Sequence, residues 1–532
     1  LYIVPSSPAW GTFLGSEFPI STASNAQQGP RVAYDSMNQR YLVVWEDYRT
    51  GTSDIYGQII SSTGGLMGGE IAISTAANNQ SWTTLAYDPI NQRYLVTWKD
   101  LRSGVDYDLY GQLVNASGSL QGGNFTISTA ANDQSWSSIA FDPIAQRYLV
   151  VWADQRNGIG QSDVYGRFVN SNGALVGSEF AISTATSYQW NPYVDYDPLN
   201  QRFLAVWEDY RNGPVDIYGQ LLNANGGFIG GNFVVNAGLN NQFWPTIAYD
   251  SDNYRYYIVW GSAEKGNTDI YGGLLSLNVA YLGGLIPITT QQDNQYFPFI
   301  AYAPFRMKYL VIWGDDRRGN SDIYGQFIGA DSSLVGENFL ISSGPIDTVG
   351  VPTVTQSSLA YDPANQRFFV VWTNGPMGTS DIYGRFIDFI TITTSSLPDG
   401  SVGAPYTTPI ASNGRTSPLT WGISAGLLPP GLSLNTMTGE ILGVPGVPGN
   451  YSFQIQVTDA YSDRDIRDLS ISIAPITPNQ LPSVTLTATP ISGTVPLEVT
   501  FTANASDPDG RIVEYRWNFD GSGTEFGSIE LT

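Results

Sequence analysis

A chain of 532 residues has room for several domains, and 24 basic against 47 acidic side chains leave it at −23, without a histidine or a cysteine. Missing imidazoles and thiols remove the commonest general base, the commonest transition-metal ligands and any disulfide. The acidic balance, with lysine at Lys99, Lys265 and Lys308, argues against nucleic acid or anionic membrane as a partner.

The chain begins with Leu1 rather than Met, with no leader peptide, as expected of a processed or excerpted sequence. No stretch approaches the roughly 20 apolar residues of a membrane helix, so a direct span is not expected in this segment. Residues 1–12 form an extension, apolar enough in 1–10 to pack on the body of the protein or on a neighbour. Residues 15–22, Gly-Ser-Glu-Phe-Pro-Ile-Ser-Thr, read as one strand and return almost unchanged at 177–184.

A repeat then takes over. Gln39-Arg40-Tyr41-Leu42-Val43-Val44-Trp45 is followed by Asp54-Ile55-Tyr56-Gly57, and the pair recurs seven times. Its anchors are Trp45, Trp98, Trp152, Trp207, Trp260, Trp313 and Trp372, and its tetrads start at Asp54, Asp108, Asp163, Asp216, Asp269, Asp322 and Asp381. Self-similarity at a period near 50 residues marks a repeat architecture. In the second unit, strands are predicted at 83–87, 93–98, 109–114 and 125–128, with turns at Asp88-Pro89 and Gly122-Gly123. Four short strands without helical periodicity make an antiparallel meander. Both faces of Tyr41 to Trp45 are apolar, so each meander must be covered on two sides, as it is when stacked between copies of itself. The expected fold is all-β: a seven-bladed β-propeller over 1–389, in which 15–22 supplies the missing outer strand of the last blade and removes two sheet edges.

The unit Val-Val-Trp-Glu-Asp-Tyr-Arg … Asp-Ile-Tyr-Gly-Gln resembles propeller repeats of large prokaryotic cell-surface proteins. Beyond Asp388 the period stops. Pro418-Leu-Thr-Trp421, 428–434 (Leu-Pro-Pro-Gly-Leu-Ser-Leu), 438–443 (Thr-Gly-Glu-Ile-Leu-Gly) and 449–459 resemble the immunoglobulin-like, cadherin-related domains of prokaryotic surface proteins, placed at 390–475. Residues 476–482 form a Pro-rich linker. Residues 489–501, Asn504-Ala-Ser-Asp-Pro-Asp-Gly510 and 511–520 resemble the first half of a PKD domain, giving a partial domain at 483–532; the closing strand of that family is absent, so the polypeptide is expected to continue. These resemblances imply immunoglobulin-like β-sandwich domains acting as a stalk, and an extracellular or cell-surface location.

Three constellations are candidates for chemistry. Asp47/Arg49, Asp100/Arg102, Asp154/Arg156, Asp209/Arg211 and Asp315/Arg317 recur in blade after blade, which fits loop anchoring better than catalysis. A catalytic carboxylate should break the symmetry; of the acids that do, Glu46, Glu208 and Glu264 form no recognisable pair, so no catalytic residue and no enzymatic activity are expected. The second constellation lies just before each first strand: Gln27, Gln80, Gln134, Gln189, Gln242 and Gln295, with Val354 in blade seven, beside Trp82, Trp136, Trp190, Trp244, Tyr296 and Phe297. Aromatic rings with amides suit the apolar faces and hydroxyls of sugars, while packing between blades is the commoner use of such rings. Trp82, Trp136, Trp190 and Trp244 are expected to share one partner-facing surface, for which Gly29 and Gln356 stand in blades one and seven. Third, Asp507 and Asp509 could offer oxygens to Ca2+, although no calcium-loop motif is present; no other cofactor is expected. Asn79, Asn115, Asn124, Asn450 and Asn504 begin Asn-x-Ser/Thr triplets open to glycosylation. The expected protein is a non-enzymatic structural or adhesion protein meeting other surface proteins, copies of itself in a filament or matrix, or glycans; the alternative is a carbohydrate-binding module of a larger polysaccharide-processing protein.

Overall fold

The computed structural model describes residues 15–518 except 305, 320, 343–356, 377, 414–417, 460–462 and 477, together with 528–530. The extension at 1–12, Val354 and Gln356 lie outside the described residues.

The first blade is a meander of Gln27–Asp35, Arg40–Asp47, Asp54–Ser61 and Leu66–Ser74, paired antiparallel in that order. Five more four-stranded sheets follow, starting at Gln80, Gln134, Gln189, Gln242 and Gln295. The seventh has Ser357–Asp362, Arg367–Asn374 and Asp381–Asp388, and Phe18–Ser21 pairs with the last of these as its outer strand. The chain is therefore an all-β, seven-bladed propeller whose N-terminal strand closes the last blade. Gln27 N–H donates to the Ser380 carbonyl at 2.7 Å and Ser380 Oγ returns a bond to the Gln27 carbonyl, stitching the same seam at the inner strands.

Stacking of blades explains the doubly apolar second strand. Tyr41, Val43 and Trp45 pack on Phe369, Val371 and Phe386 of blade seven, while Leu42 and Val44 pack on Tyr94, Val96 and Trp98 of blade two. All seven anchor tryptophans are fully buried. At the opposite edge of the blades, tyrosines bind the neighbouring turn: Tyr41 Oη donates to Asp362, Tyr196 to Asp142 and Tyr309 to Asp250, at 2.7–2.9 Å. These aspartates also accept the two N–H groups of their own turn, as Asp35 does from Met37 and Asn38.

The strands are longer than the sequence predicts, because two glycine or aromatic "breaks" are bulges rather than turns. The outer strand of blade two runs Leu120–Ser128 through Gly122, at φ 71°, where the register with the third strand slips between Gly111 and Leu113. The buried Gln112 amide fills that gap, donating to the carbonyls of Leu113 and Gln121 and accepting from Asn124. Blade five carries Gly273 at the Gln112 position, and its outer strand shrinks to Ile286–Thr289.

Beyond the ring, Gly400–Ser401, Arg464–Ala474, Gly449–Thr458 and Thr420–Gly426 form one sheet, and Tyr406–Pro409, Glu440–Gly443 and Leu432–Leu434 a second. Trp421, Ile441, Phe453, Ile455, Val457 and Ile471 fill the space between them. This sandwich is docked on the propeller. Phe389 packs on Phe327 and Phe368, with ring centroids 5.4 and 5.7 Å apart. Asp463 accepts Ile390 N–H and pairs with Lys308; Asp465 accepts Ile392 N–H and lies 3.4 Å from Arg306. Among the described residues further on are two strand pairs, Ser483–Thr489 with Thr500–Ser506 and Glu514–Arg516 with Ser528–Glu530.

Candidate functional site

The inner strand of each blade begins with a kink. In six blades the register against the second strand slips, between Gln28 and Arg31, Ser81 and Thr84, Ser135 and Ser138, Trp190 and Tyr193, Phe243 and Thr246, and Tyr296 and Phe299. The residue inside each slip is left-handed: Gly29 (φ 62°), Trp82 (56°), Trp136 (55°), Asn191 (46°), Trp244 (52°) and Phe297 (51°). A bulky side chain held at positive φ costs on the order of 1–3 kcal/mol, and bulges re-aim the side chains they carry. Here they turn three indoles, a phenyl ring and an amide into the mouth of the central channel, above a cavity of about 170 Å³. The Trp82 and Trp136 rings lie 3.6 Å apart between centroids, and Trp244 and Phe297 4.6 Å.

Side chains of the preceding blade hold three of these bulges. The residue following the anchor Trp accepts the N–H of the left-handed residue: Thr373 Oγ from Gly29 at 3.2 Å, Glu46 Oε1 from Trp82 at 2.7 Å, and Glu208 Oε1 from Trp244 at 2.8 Å. Glu208 also takes the Asn191 amide at 2.6 Å. Burial lifts both carboxyls, Glu208 to about 7, against the stabilising N–H bonds they accept. Lys99, at the matching place in blade two, lies over the rings of Trp82 and Tyr107 at 5.8 and 4.2 Å. Glu46 and Glu208 are thus structural equivalents three blades apart, whereas Glu264 bonds Asn240 N–H and the Gln242 amide.

Below the mouth the inner strands present two further layers. The first holds Arg31, Thr84, Ser138, Tyr193, Thr246, Phe299 and Ser358, all lining the cavity. The second reads Ala33, Ala86, Ala140, Ala248, Ala301 and Ala360 in six blades and Asp195 in the fourth. Asp195 accepts the N–H groups of Tyr196 and Tyr249, each at 2.8 Å, and burial raises it to about 6. Arg31 and Asp195 break the sevenfold pattern at the axis, and the sequence reading missed both. Aligning the units on the Asp that ends six of the inner strands, with Ala303 in blade six, would have found them, since each is a charge where its counterparts are neutral.

Several expected site residues belong elsewhere. Gln80, Gln134, Gln189 and Gln242 are fully buried, and their amides donate to carbonyls of their own approach loops, for example Gln80 to Asn78 at 2.7 Å. They brace the approach loops and do not line the cavity. Trp190 follows its Gln directly, so it matches Ser81 rather than Trp82; it stacks on Tyr188 at 6.4 Å, and Asn191 takes the channel position. Tyr296 is likewise one residue early and bonds Asp316 and Ser321. Trp82, Trp136, Trp244 and Phe297 do come together. The repeated Asp/Arg pairs are loop anchors: Asp209 accepts the Trp207 indole N–H at 2.8 Å, the Arg211 N–H, and both sides of its guanidinium at 2.8 and 2.5 Å. Among the described residues no group of three or more acidic side chains is placed to hold a metal. Asp509 accepts Gln480 N–H and Asp507 accepts Asp509 N–H.

Residues 389–474 match the family described as a putative Ig domain, so an Ig-like domain follows the propeller. No curated protein matches the chain. The fold is similar to that of the periplasmic gluconolactonase of Pseudomonas aeruginosa, at 10% identity over 58% of this chain and 84% of that one, with a TM-score of 0.41. A thermostable family-43 glycoside hydrolase is similar at 15% identity over 47% and 88%, TM-score 0.31. A protein of Bacteroides fragilis described as a putative alpha-galactosidase is 26% identical over 16% of this chain, TM-score 0.15, and this chain spans 18% of its length. The expectation of a protein without enzymatic activity is corrected here. Solved structures similar to this chain carry enzyme names, and Asp195 is a further acid that breaks the repeat, one the exclusion did not count. Neither fold nor site excludes catalysis.

Proposed function

We propose that this is an extracellular or cell-surface adhesion protein whose propeller head binds carbohydrate at the channel mouth and whose Ig-like sandwich begins a stalk. The segment from Ser483 onward continues that stalk as a PKD-like module. One observation carries the reading: Trp82, Trp136, Trp244 and Phe297 are all held at positive φ, and all face one concave opening. Strain repeated at one ring of positions points to use rather than packing. Apolar ring faces with a few placed polar groups, here Asn191 and the hydroxyls beneath, form the usual lining of a small-molecule site. Sugars present both a flat C–H face and hydroxyls to such a lining.

The test is a glycan array followed by calorimetry on the intact chain. Trp82→Ala and Trp244→Ala should each weaken saccharide binding by roughly 1–3 kcal/mol, a range taken from bases stacked on aromatic side chains. Trp190→Ala, one residue out of the ring, should leave it unchanged. Absence of saccharide binding, or equal losses at Trp190 and Trp82, removes the reading. Dissolution of a self-assembly by the same channel variants would replace the glycan by a second copy of the chain.

A further inference from the structure

The layer beneath the aromatic mouth contains a cation with little to do. Arg31 is half-buried in a channel otherwise lined at its level by hydroxyls and one phenyl ring. Its guanidinium carbon lies 4.9 Å from the Phe299 centroid, and Nη1 donates to the Pro30 carbonyl at 3.0 Å. A guanidinium has five N–H donors. Among the described residues Arg31 makes no ion pair, whereas every Arg following a loop-anchor Asp has a carboxylate within 2.6 Å. Glu46, a carboxylate acting on it, is committed to Trp82 N–H. Burial lowers the Arg31 pKa to about 10, which leaves it charged at neutral pH.

We propose that Arg31 makes this a site for an acidic sugar, taking the oxyanion of one terminal residue that enters the channel end-on while its ring lies among the indoles. This rests on the carbohydrate reading and narrows it. The oxyanion is a carboxylate or a sulfate ester, since both accept the paired N–H groups of a guanidinium. Size limits the occupant: a dry cavity of about 150 Å³ takes a benzene molecule, and this one, at about 170 Å³, takes one six-membered ring. Thr84, Ser138 and Tyr193 then offer hydroxyls at the depth of the charged group, while the Thr246 hydroxyl donates to the Pro298 carbonyl. Asp195, one layer further, sets the depth by repelling an anion that goes past Arg31. The net charge of −23 opposes a polyanion laid along the surface, and opposes a single acidic residue inserted at the axis far less.

The experiment titrates the full chain with three matched oligosaccharides, ending in a uronate, a sulfated hexose or the neutral hexose. Either acidic form should bind roughly tenfold or more tighter than the neutral one, the value of one charged hydrogen-bonded contact. Arg31→Gln should abolish that preference, bringing acidic and neutral forms to the same affinity, and Trp82→Ala should weaken all three. Arg31→Lys, which keeps the charge but loses the fork, should retain part of the preference and serves where the glutamine variant does not fold. Equal binding of acidic and neutral forms, or a preference that survives Arg31→Gln, overturns the acidic-sugar assignment and leaves the aromatic mouth standing. Failure of all three to bind overturns the carbohydrate reading as well.

Discussion

Asp209 shows how much one side chain per blade carries. It is fully buried and accepts from the Trp207 indole, the Arg211 backbone and the Arg211 guanidinium, which in turn stacks on Tyr218 at 4.1 Å. Asp209→Ala should cost about 3 kcal/mol in denaturant unfolding, because it leaves a guanidinium and an indole N–H without their acceptor. Asp209→Asn should cost about 1 kcal/mol, since blade seven already carries Asn374 there. In blade five Ser262 stands at that place, and the Trp260 indole turns to Gln242 Oε1 at 3.0 Å instead. Glu208 makes stability depend on pH. Its folded pKa of about 7 exceeds its ordinary value of 4.5, so the folded state binds the proton more tightly between those values. Stability from this group is therefore fullest in mild acid and falls as pH rises through 4.5 to 7. Glu208→Gln should flatten that part of the melting-temperature profile; an unchanged slope would assign it to other acids such as Asp195 and Asp108, each also raised to about 6 by burial.

At the scale of the strand, most of the architecture was legible, because a doubly apolar Tyr-Leu-Val-Val-Trp run admits few structures other than a blade between blades. The irregularities were not. Gly122-Gly123 carries the composition of a turn and Ser81-Trp82 falls ahead of the predicted strand, yet in both places the strand continues through a bulge, held by the Gln112 amide of the neighbouring strand in the first and by the Glu46 carboxylate of the preceding blade in the second. Trp190 was aligned by residue type, and only the pairing of Trp190 with Glu208 fixes its register one place from the channel. Arg31 and Asp195 were hidden for a different reason: alternation identifies faces, whereas the ring that turns a face into an axis exists only after closure. That closure is itself testable. Removing residues 1–22 uncovers the Asp381–Asp388 edge and takes away the Phe18 ring stacked on Phe369 at 5.8 Å. The truncated chain should lose several kcal/mol of stability, or pair edges in dimers, as read by unfolding and light scattering.

For the whole molecule, the junction decides whether head and sandwich move together. Lys308 stands where five blades have Arg reaching a carbonyl of the next blade, as Arg40 reaches Ala116; in blade six the partner is Asp463 of the sandwich. Asp463→Ala should free the sandwich, seen as faster proteolysis around 389–392 at an unchanged propeller melting temperature. Closure has one more consequence. Phe18 pairs with Gly384, so the first strand of the ring finds its partner only once the last blade has been made. The logarithmic chain-entropy cost of joining ends that far apart is roughly 5 kcal/mol. Through synthesis, six blades can stack while the seventh gap stays open to solvent and to other nascent chains. The protein's vulnerable moment is this waiting time, and factors that shield an unpaired strand would govern its yield more than any property of the finished ring.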